Sequence, residues 1–171
     1  FVISFCIVLF AGKPFIKYLK VKKFGEEIRD DGPSSHFSKK GTPTMGGVLI
    51  IASVLLTSLL INDLANKLIL LVLISMLMFA AIGFIDDYRK FTVSKKGLAG
   101  KKKLLFQGTI GLMVWAYLYY IGFTGRPMID FSLINPISAH PYYIGAIGMF
   151  VLIQLILMGT SNAVNITDGL D

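Results

Sequence analysis

Two adjacent aspartates, Asp86 and Asp87, close a run of apolar residues, and Lys90 follows them four and three positions on. An ionisable residue at the edge of a membrane-spanning stretch is costly and is kept where it has work to do. Paired carboxylates beside a lysine suit a metal-bound diphosphate. Hard Mg²⁺ takes one or two carboxylate oxygens and completes its shell with water and substrate phosphate. Alternatively, one carboxylate acts as a base toward a phosphate nucleophile. Neighbours on a helix diverge by about 100°, which sends the two side chains to different partners within one zone. The bland reading is an ion pair with Lys90 at a helix end, worth about 0.2–0.5 kcal/mol. Acids at a helix C-terminus oppose the macrodipole unless a cation is close, which tips the balance toward function.

Two further clusters carry polar chemistry. Lys39-Lys40-Gly41-Thr42-Pro43-Thr44-Met45-Gly46-Gly47 leads into an apolar segment. Its glycines permit close backbone approach, Pro43 stiffens the turn, and Thr42 and Thr44 offer hydroxyls. A helix N-terminus beside lysines is a natural anion site. Helix capping by Thr or Pro, with a glycine packing face, accounts for the same residues equally well. The glycine spacing and the missing Lys-Ser/Thr end rule out a Walker loop. Asn162, Asn165, Asp168 and Asp171 then recur at every third position. Steps of about 300° drift slowly around one side of a helix. Such a stripe of amides and carboxylates suits a metal or a sugar nucleotide, and Gly169 gives a ligand room. Its plain alternative is a solvated helix end whose side chains compete for backbone bonds.

The remaining polar residues carry less. His36 and His140 have no partner at metal-ligand spacing and read as surface residues. Cys6 is the lone cysteine, so no disulfide or cysteine metal site forms within the chain. Trp115, Tyr117, Tyr119 and Tyr120 read as an interfacial aromatic belt. The run from Lys95 to Lys103 reads as a solvated, lipid-facing loop with affinity for anionic lipid.

The elements that must position these residues are membrane helices. Of 171 residues, 54% are hydrophobic and the mean hydropathy is +0.70, too apolar for a soluble domain of this length. Crossing a bilayer takes about 20 mostly apolar residues. Residues 45–61, 67–85, 104–123 and 142–158 qualify, and a fifth run, 1–10, reads as cut short. The first residue is not methionine, no signal-peptide pattern is present, and the last motif stops at Asp171. These features predict a fragment of a larger polytopic protein, one membrane-embedded domain with about five helices.

Charge sets the orientation. Eight of the 17 Lys and Arg fall in residues 11–43 and seven in 86–103. Basic residues confined to alternate loops are the positive-inside pattern and suit anionic headgroups, so nucleic acid is the weaker account of the +7 net charge. With both basic loops in the cytoplasm, the Asp86–Asp87 pair and the Asn162–Asp171 cluster emerge on that same face. No strand pattern that would survive in lipid stands out, since an open sheet leaves backbone groups unpaired there.

Ser35-His36-Phe37-Ser38-Lys39-Lys40-Gly41-Thr42-Pro43-Thr44-Met45-Gly46-Gly47, Asp86-Asp87-Tyr88-Arg89-Lys90 and Asn162-Ala163-Val164-Asn165-Ile166-Thr167-Asp168-Gly169-Leu170-Asp171 occur in this order. Together they resemble the phospho-N-acetylmuramoyl-pentapeptide transferases, over the whole chain. The resemblance implies an all-α, ten-helix bacterial inner-membrane enzyme with a cytoplasmic cleft, of which this chain holds about half. The implied reaction moves phospho-MurNAc-pentapeptide from UDP-MurNAc-pentapeptide to undecaprenyl phosphate in peptidoglycan synthesis, with Mg²⁺ required and UMP released. Asp86 and Asp87 match the family's Asp-Asp pair, which activates the lipid phosphate and supports the metal–diphosphate site. Lys39 and Thr44 match the nucleotide-side cleft, Lys90 joins as a substrate-binding residue, and Asn162, Asn165, Asp168 and Asp171 match the uridine- and sugar-proximal motif. The family's later metal-binding aspartate and histidine-rich loop have no counterpart here, so the fragment is expected to be inactive alone. The bilayer is the implied environment, and a homodimer is among the assemblies allowed.

Two other readings stand beside it. A related polyprenyl-phosphate N-acetylhexosamine-1-phosphate transferase shares the acid pair, but the Gly-Thr-Pro-Thr-Met-Gly-Gly stretch speaks against it. A transporter half predicts acids near helix centres and discontinuous helices. Here the acids lie at helix ends and the apolar runs are unbroken.

Overall fold

The computed structural model describes residues 1–22, 45–92, 97–123, 128–129 and 142–168, with 91, 128–129 and 166–168 described by backbone only. The elements are α1 (Val2–Val21), α2 (Gly47–Ile61), α3 (Lys67–Thr92), α4 (Gly100–Tyr120), β1 (Met128–Ile129), β2 (Tyr142–Tyr143) and α5 (Gly145–Asp168). They fall into two compact units, Phe1–Ala99 and Gly100–Asp171. Apart from one two-residue antiparallel pairing, Met128 opposite Tyr143 and Ile129 opposite Tyr142, the described residues are helical or connecting. The chain is an all-α polytopic membrane protein.

Length and apolarity allow three helices to cross a bilayer: Val2–Val21, the Lys67–Lys90 part of α3 and the Gly145–Asn165 part of α5. At 1.5 Å per residue, the 20 residues of α1 reach about 30 Å. The apolar run at residues 1–10 therefore lies within one continuous helix that extends to Val21. α2 has 15 residues and reaches only about 22 Å. α4 is 21 residues long, but its first turn holds Lys101, Lys102 and Lys103, and its middle holds Gln107 and Thr109.

Three boundaries differ from the sequence expectation, for one reason. Apolarity ends where lipid ends, whereas a helix ends where the backbone finds a stop. α3 continues through Asp86 and Asp87 to Thr92, so the acids lie inside the helix. α5 runs past Gly159 to Asp168. α4 starts at Gly100 and takes Lys101–Lys103 out of the expected loop into its first turn.

In the Phe1–Ala99 unit, α2 packs against α1 and α3. The turn between α2 and α3 is built by short polar side chains. The Ala65 N–H donates to Asp63 Oδ1 at 2.9 Å, and the Leu68 N–H donates to Asn66 Oδ1 at 2.9 Å, so Asn66 caps α3. Side-chain placement in both units departs from that of a water-soluble core. Ser53, Thr57 and Gln107 are buried, while Leu60, Val72, Leu105, Ile147 and Leu155 are exposed. In lipid, apolar faces need no cover, and small or hydrogen-bonding residues make the helix contacts.

In the Gly100–Asp171 unit, α4 and α5 run antiparallel. Bonded partners descend along α5 as they ascend along α4: Lys103 with Asn165, Gln107 with Ser161 and Asn162, Gly108 with Gln154, Trp115 with Ala146. α4 stops at Gly122, whose φ of +76° is the left-handed conformation a β-carbon disfavours. There the Phe123 N–H reaches Leu118 O at 2.9 Å and the Gly122 N–H reaches Tyr119 O at 3.1 Å, the two bonds of a Schellman close.

Candidate active site

Because α3 stays helical past the lipid-facing run, Asp86, Asp87 and Lys90 stand at i, i+1 and i+4 on it. Lys90 Nζ lies 3.1 Å from Asp86 Oδ2 and 3.4 Å from Asp87 Oδ1. The ion pair foreseen as the bland alternative is therefore present. It is not the whole arrangement. The chain returns to α3 at Gly97, and the Leu98 N–H donates to Asp86 Oδ1 at 2.7 Å.

The two carboxylates differ in consequence. The Asp86 side chain is 10% exposed, the Asp87 side chain 38%. Asp86 has a backbone amide on one oxygen and an ammonium on the other, a buried carboxylate with charge-assisted donors on both sides. Asp87 meets Lys90 at the long end of hydrogen-bond range and keeps oxygen surface toward solvent. Both carboxylates draw on the same Lys90 ammonium.

The residues fit Mg²⁺ on donor chemistry. Carboxylate oxygens are hard donors, and Asp87 has one to offer. Among the described residues no group of three His, Cys, Asp or Glu forms a closed cage. Water and phosphate would have to complete the shell, which is what Mg²⁺ accepts.

The second polar cluster has a different character. Asn162 Nδ2 donates to Gln107 Oε1 at 2.8 Å and to Met158 O at 2.8 Å, while Gln107 Nε2 donates to Ser161 Oγ at 3.0 Å. Lys103 Nζ donates to Asn165 Oδ1 at 3.0 Å. Both asparagines thus face α4 and help hold it. Asp168 closes α5, with only its backbone described; Lys39, Thr44 and Asp171 lie outside the described residues, as do His36 and His140. Of the glycine-rich cluster, Met45 is seen, buried and with φ +69°, an uncommon conformation for a residue with a β-carbon. Gly46 is the N-cap of α2 and has no side chain to cap it. Trp115 is also more than a belt residue. Its Nε1 donates to Ala146 O at 2.9 Å, and its ring meets Phe150 edge-on at 5.6 Å.

Gly97, Leu98 and Gln107 carry weight that sequence reading did not give them. A signal existed for the first two: glycines at 97 and 100 shortly after an acid pair allow the chain to turn back tightly. Gln107 had its own, an amide in the middle of an apolar run.

These observations define a helical, polytopic membrane protein with an acid–lysine cluster near the end of a long apolar helix. The sequence profile described as Glycosyl transferase family 4 matches residues 69–171, and the chain belongs to that family. Residues 39–51 match the profile described as phospho-N-acetylmuramoyl-pentapeptide-transferase signature 1. The chain is 86% identical, over all of its length, to the phospho-N-acetylmuramoyl-pentapeptide-transferase of Fusobacterium nucleatum, covering 47% of that protein. It is 42% identical, over 98% of its length, to the protein of the same name from Francisella tularensis, covering 46% of it. The chain thus spans about half the length of the curated relatives it matches.

Proposed function

We propose that this chain belongs to a phospho-N-acetylmuramoyl-pentapeptide transferase, which moves phospho-MurNAc-pentapeptide from UDP-MurNAc-pentapeptide to undecaprenyl phosphate and releases UMP. The observation that carries the reading is the Asp86–Asp87–Lys90 cluster on α3, within a chain whose residues 39–51 match the signature of that enzyme. The 86% identical relative bears the same name.

Phosphoryl transfer asks a protein mainly for positioning and for neutralisation of charge on the transferring oxygens. Asp87 has the exposed carboxylate and is placed to meet a cation or the lipid phosphate. Asp86 is fixed by Leu98 and Lys90 and holds the negative charge that keeps the ammonium in place. Lys90 offers its ammonium to phosphate oxygens, exchanging part of its bond to Asp87 for one to substrate. Mg²⁺, carried by Asp87 and Asp86 with substrate oxygens, would supply charge neutralisation at the diphosphate. Lys39 and Thr44 are proposed to bind the nucleotide side of the donor, and Asn162, Asn165, Asp168 and Asp171 its uridine and sugar. The proposed setting is the bacterial inner membrane, with both basic loops and the acid cluster on the cytoplasmic side.

The full-length protein in membranes decides the matter. Mg²⁺-dependent UMP release from UDP-MurNAc-pentapeptide, only when undecaprenyl phosphate is present, is the expected result. Release from UDP-N-acetylglucosamine instead would move the protein to a sister enzyme. Silence with both donors would overturn the transferase reading.

A further inference from the structure

The turn at Gly97–Leu98 contacts Asp86 by geometry that tolerates little change. Gly97 has φ +66°, and a β-carbon built there would stand 2.7 Å from Asp86 Oδ1 and 2.9 Å from Lys90 Cγ. The first distance is shorter than carbon–oxygen contacts allow, and the φ is one that side chains disfavour. One residue on, the Leu98 N–H takes the same Asp86 Oδ1 at 2.7 Å. A missing side chain thus lets the backbone come close enough for its next amide to reach the carboxylate. The other oxygen, Oδ2, is held by Lys90 at 3.1 Å.

From this we infer that Gly97 and the Leu98 amide are positioning residues for the acid pair, fixing the Asp86 rotamer and, through Lys90, the face that Asp87 presents. The turn acts through Asp86 and touches no substrate. The amide donor also makes Asp86 a carboxylate whose charged form is hydrogen-bonded on both oxygens, leaving Asp87 as the freer of the two. This inference rests on the transferase reading and adds to it a part of the chain that none of the three polar motifs contains.

A carboxylate pushed aside by a β-carbon loses alignment, and misplacement by about 1 Å costs on the order of a hundredfold in rate. The test uses the full-length enzyme in membranes. Gly97→Ala and Gly97→Asn are expected to lower kcat by about tenfold to a hundredfold with KM for the UDP donor nearly unchanged. Asparagine tolerates a left-handed φ but carries the same β-carbon, so it rescues the enzyme only if backbone strain is the whole story. Gly100→Ala, whose β-carbon would meet nothing within 4 Å, serves as the control and keeps wild-type turnover. A second readout is independent of turnover. In a double-mutant cycle on thermal midpoint, Gly97→Ala costs less in an Asp86→Ala background, where the clashing oxygen is gone, than in the wild type. Additive midpoints, wild-type kcat in both Gly97 variants, or full recovery with asparagine would each overturn the positioning role. An inactive wild-type protein would instead reject the transferase reading, and the cycle would still report on the turn.

Discussion

Two polar clusters in this protein sit on apolar helices, and they are built in opposite ways. The cluster in the Phe1–Ala99 unit is charged and compact in sequence: Asp86, Asp87 and Lys90 share one helix, and the turn that closes on them returns within 12 residues. The cluster in the Gly100–Asp171 unit is mostly neutral and spread wide. Gln107, Asn162, Ser161 and Gln154 reach partners 46 to 55 residues away. Charge near a helix end keeps access to water and to anionic ligands. Amides between apolar helices have no water to fall back on, so they bond each other and set the register of α4 on α5. The first arrangement keeps charge near water, and the second joins α4 to α5.

Substitutions can break or sharpen this contrast. The largest effect is expected for Asp87→Asn in the full-length enzyme: loss of about two to three orders of magnitude in turnover, the scale of removing one preorganised charged group. Its thermal midpoint should hardly move, because the Asp86–Lys90 pair remains. Turnover that survives the change would reduce the cluster to a surface ion pair and erase the contrast. Gly111→Ala comes next, and acts on assembly. Its β-carbon would stand 2.5 Å from Gln154 Oε1, an oxygen already buried without a partner among the described residues. Overpacking there should destabilise by about 1–3 kcal/mol, measured by unfolding in mixed micelles. Gln107→Leu removes two interhelical bonds while keeping volume, and about 1 kcal/mol is expected by the same measurement. Smallest is Trp115→Phe, which keeps a ring near Phe150 and loses one bond to Ala146 O, about 0.5 kcal/mol. A Gln107→Leu protein as stable as wild type would show that packing alone sets the α4–α5 register.

Much of the fold was legible because lipid reads composition. The apolar runs 67–85 and 142–158 fall largely within α3 and α5, and basic residues clustered between runs. The acid–lysine contact was legible too, since Asp86, Asp87 and Lys90 are tied by helix periodicity alone. Helix ends were not. Nothing in Tyr88-Arg89-Lys90 or in Ser161-Asn162-Ala163-Val164-Asn165 stops a helix, so α3 and α5 run on where hydropathy falls. A period of three at Asn162 and Asn165 gives a face without naming what it faces, so their bonds to Lys103 and Gln107 on α4 were not legible.

The sequence by itself determined which residues meet within a few turns of one helix, because backbone geometry fixes those distances. It also determined that the chain belongs in a membrane, because solvent preference adds up residue by residue. Only the tertiary structure decided that Asp86 is gripped by the Leu98 amide while Asp87 stays half open, and that Asn162 bonds to Gln107. Those choices depend on where the chain returns and on helix register, which packing sets over tens of residues and no local pattern encodes.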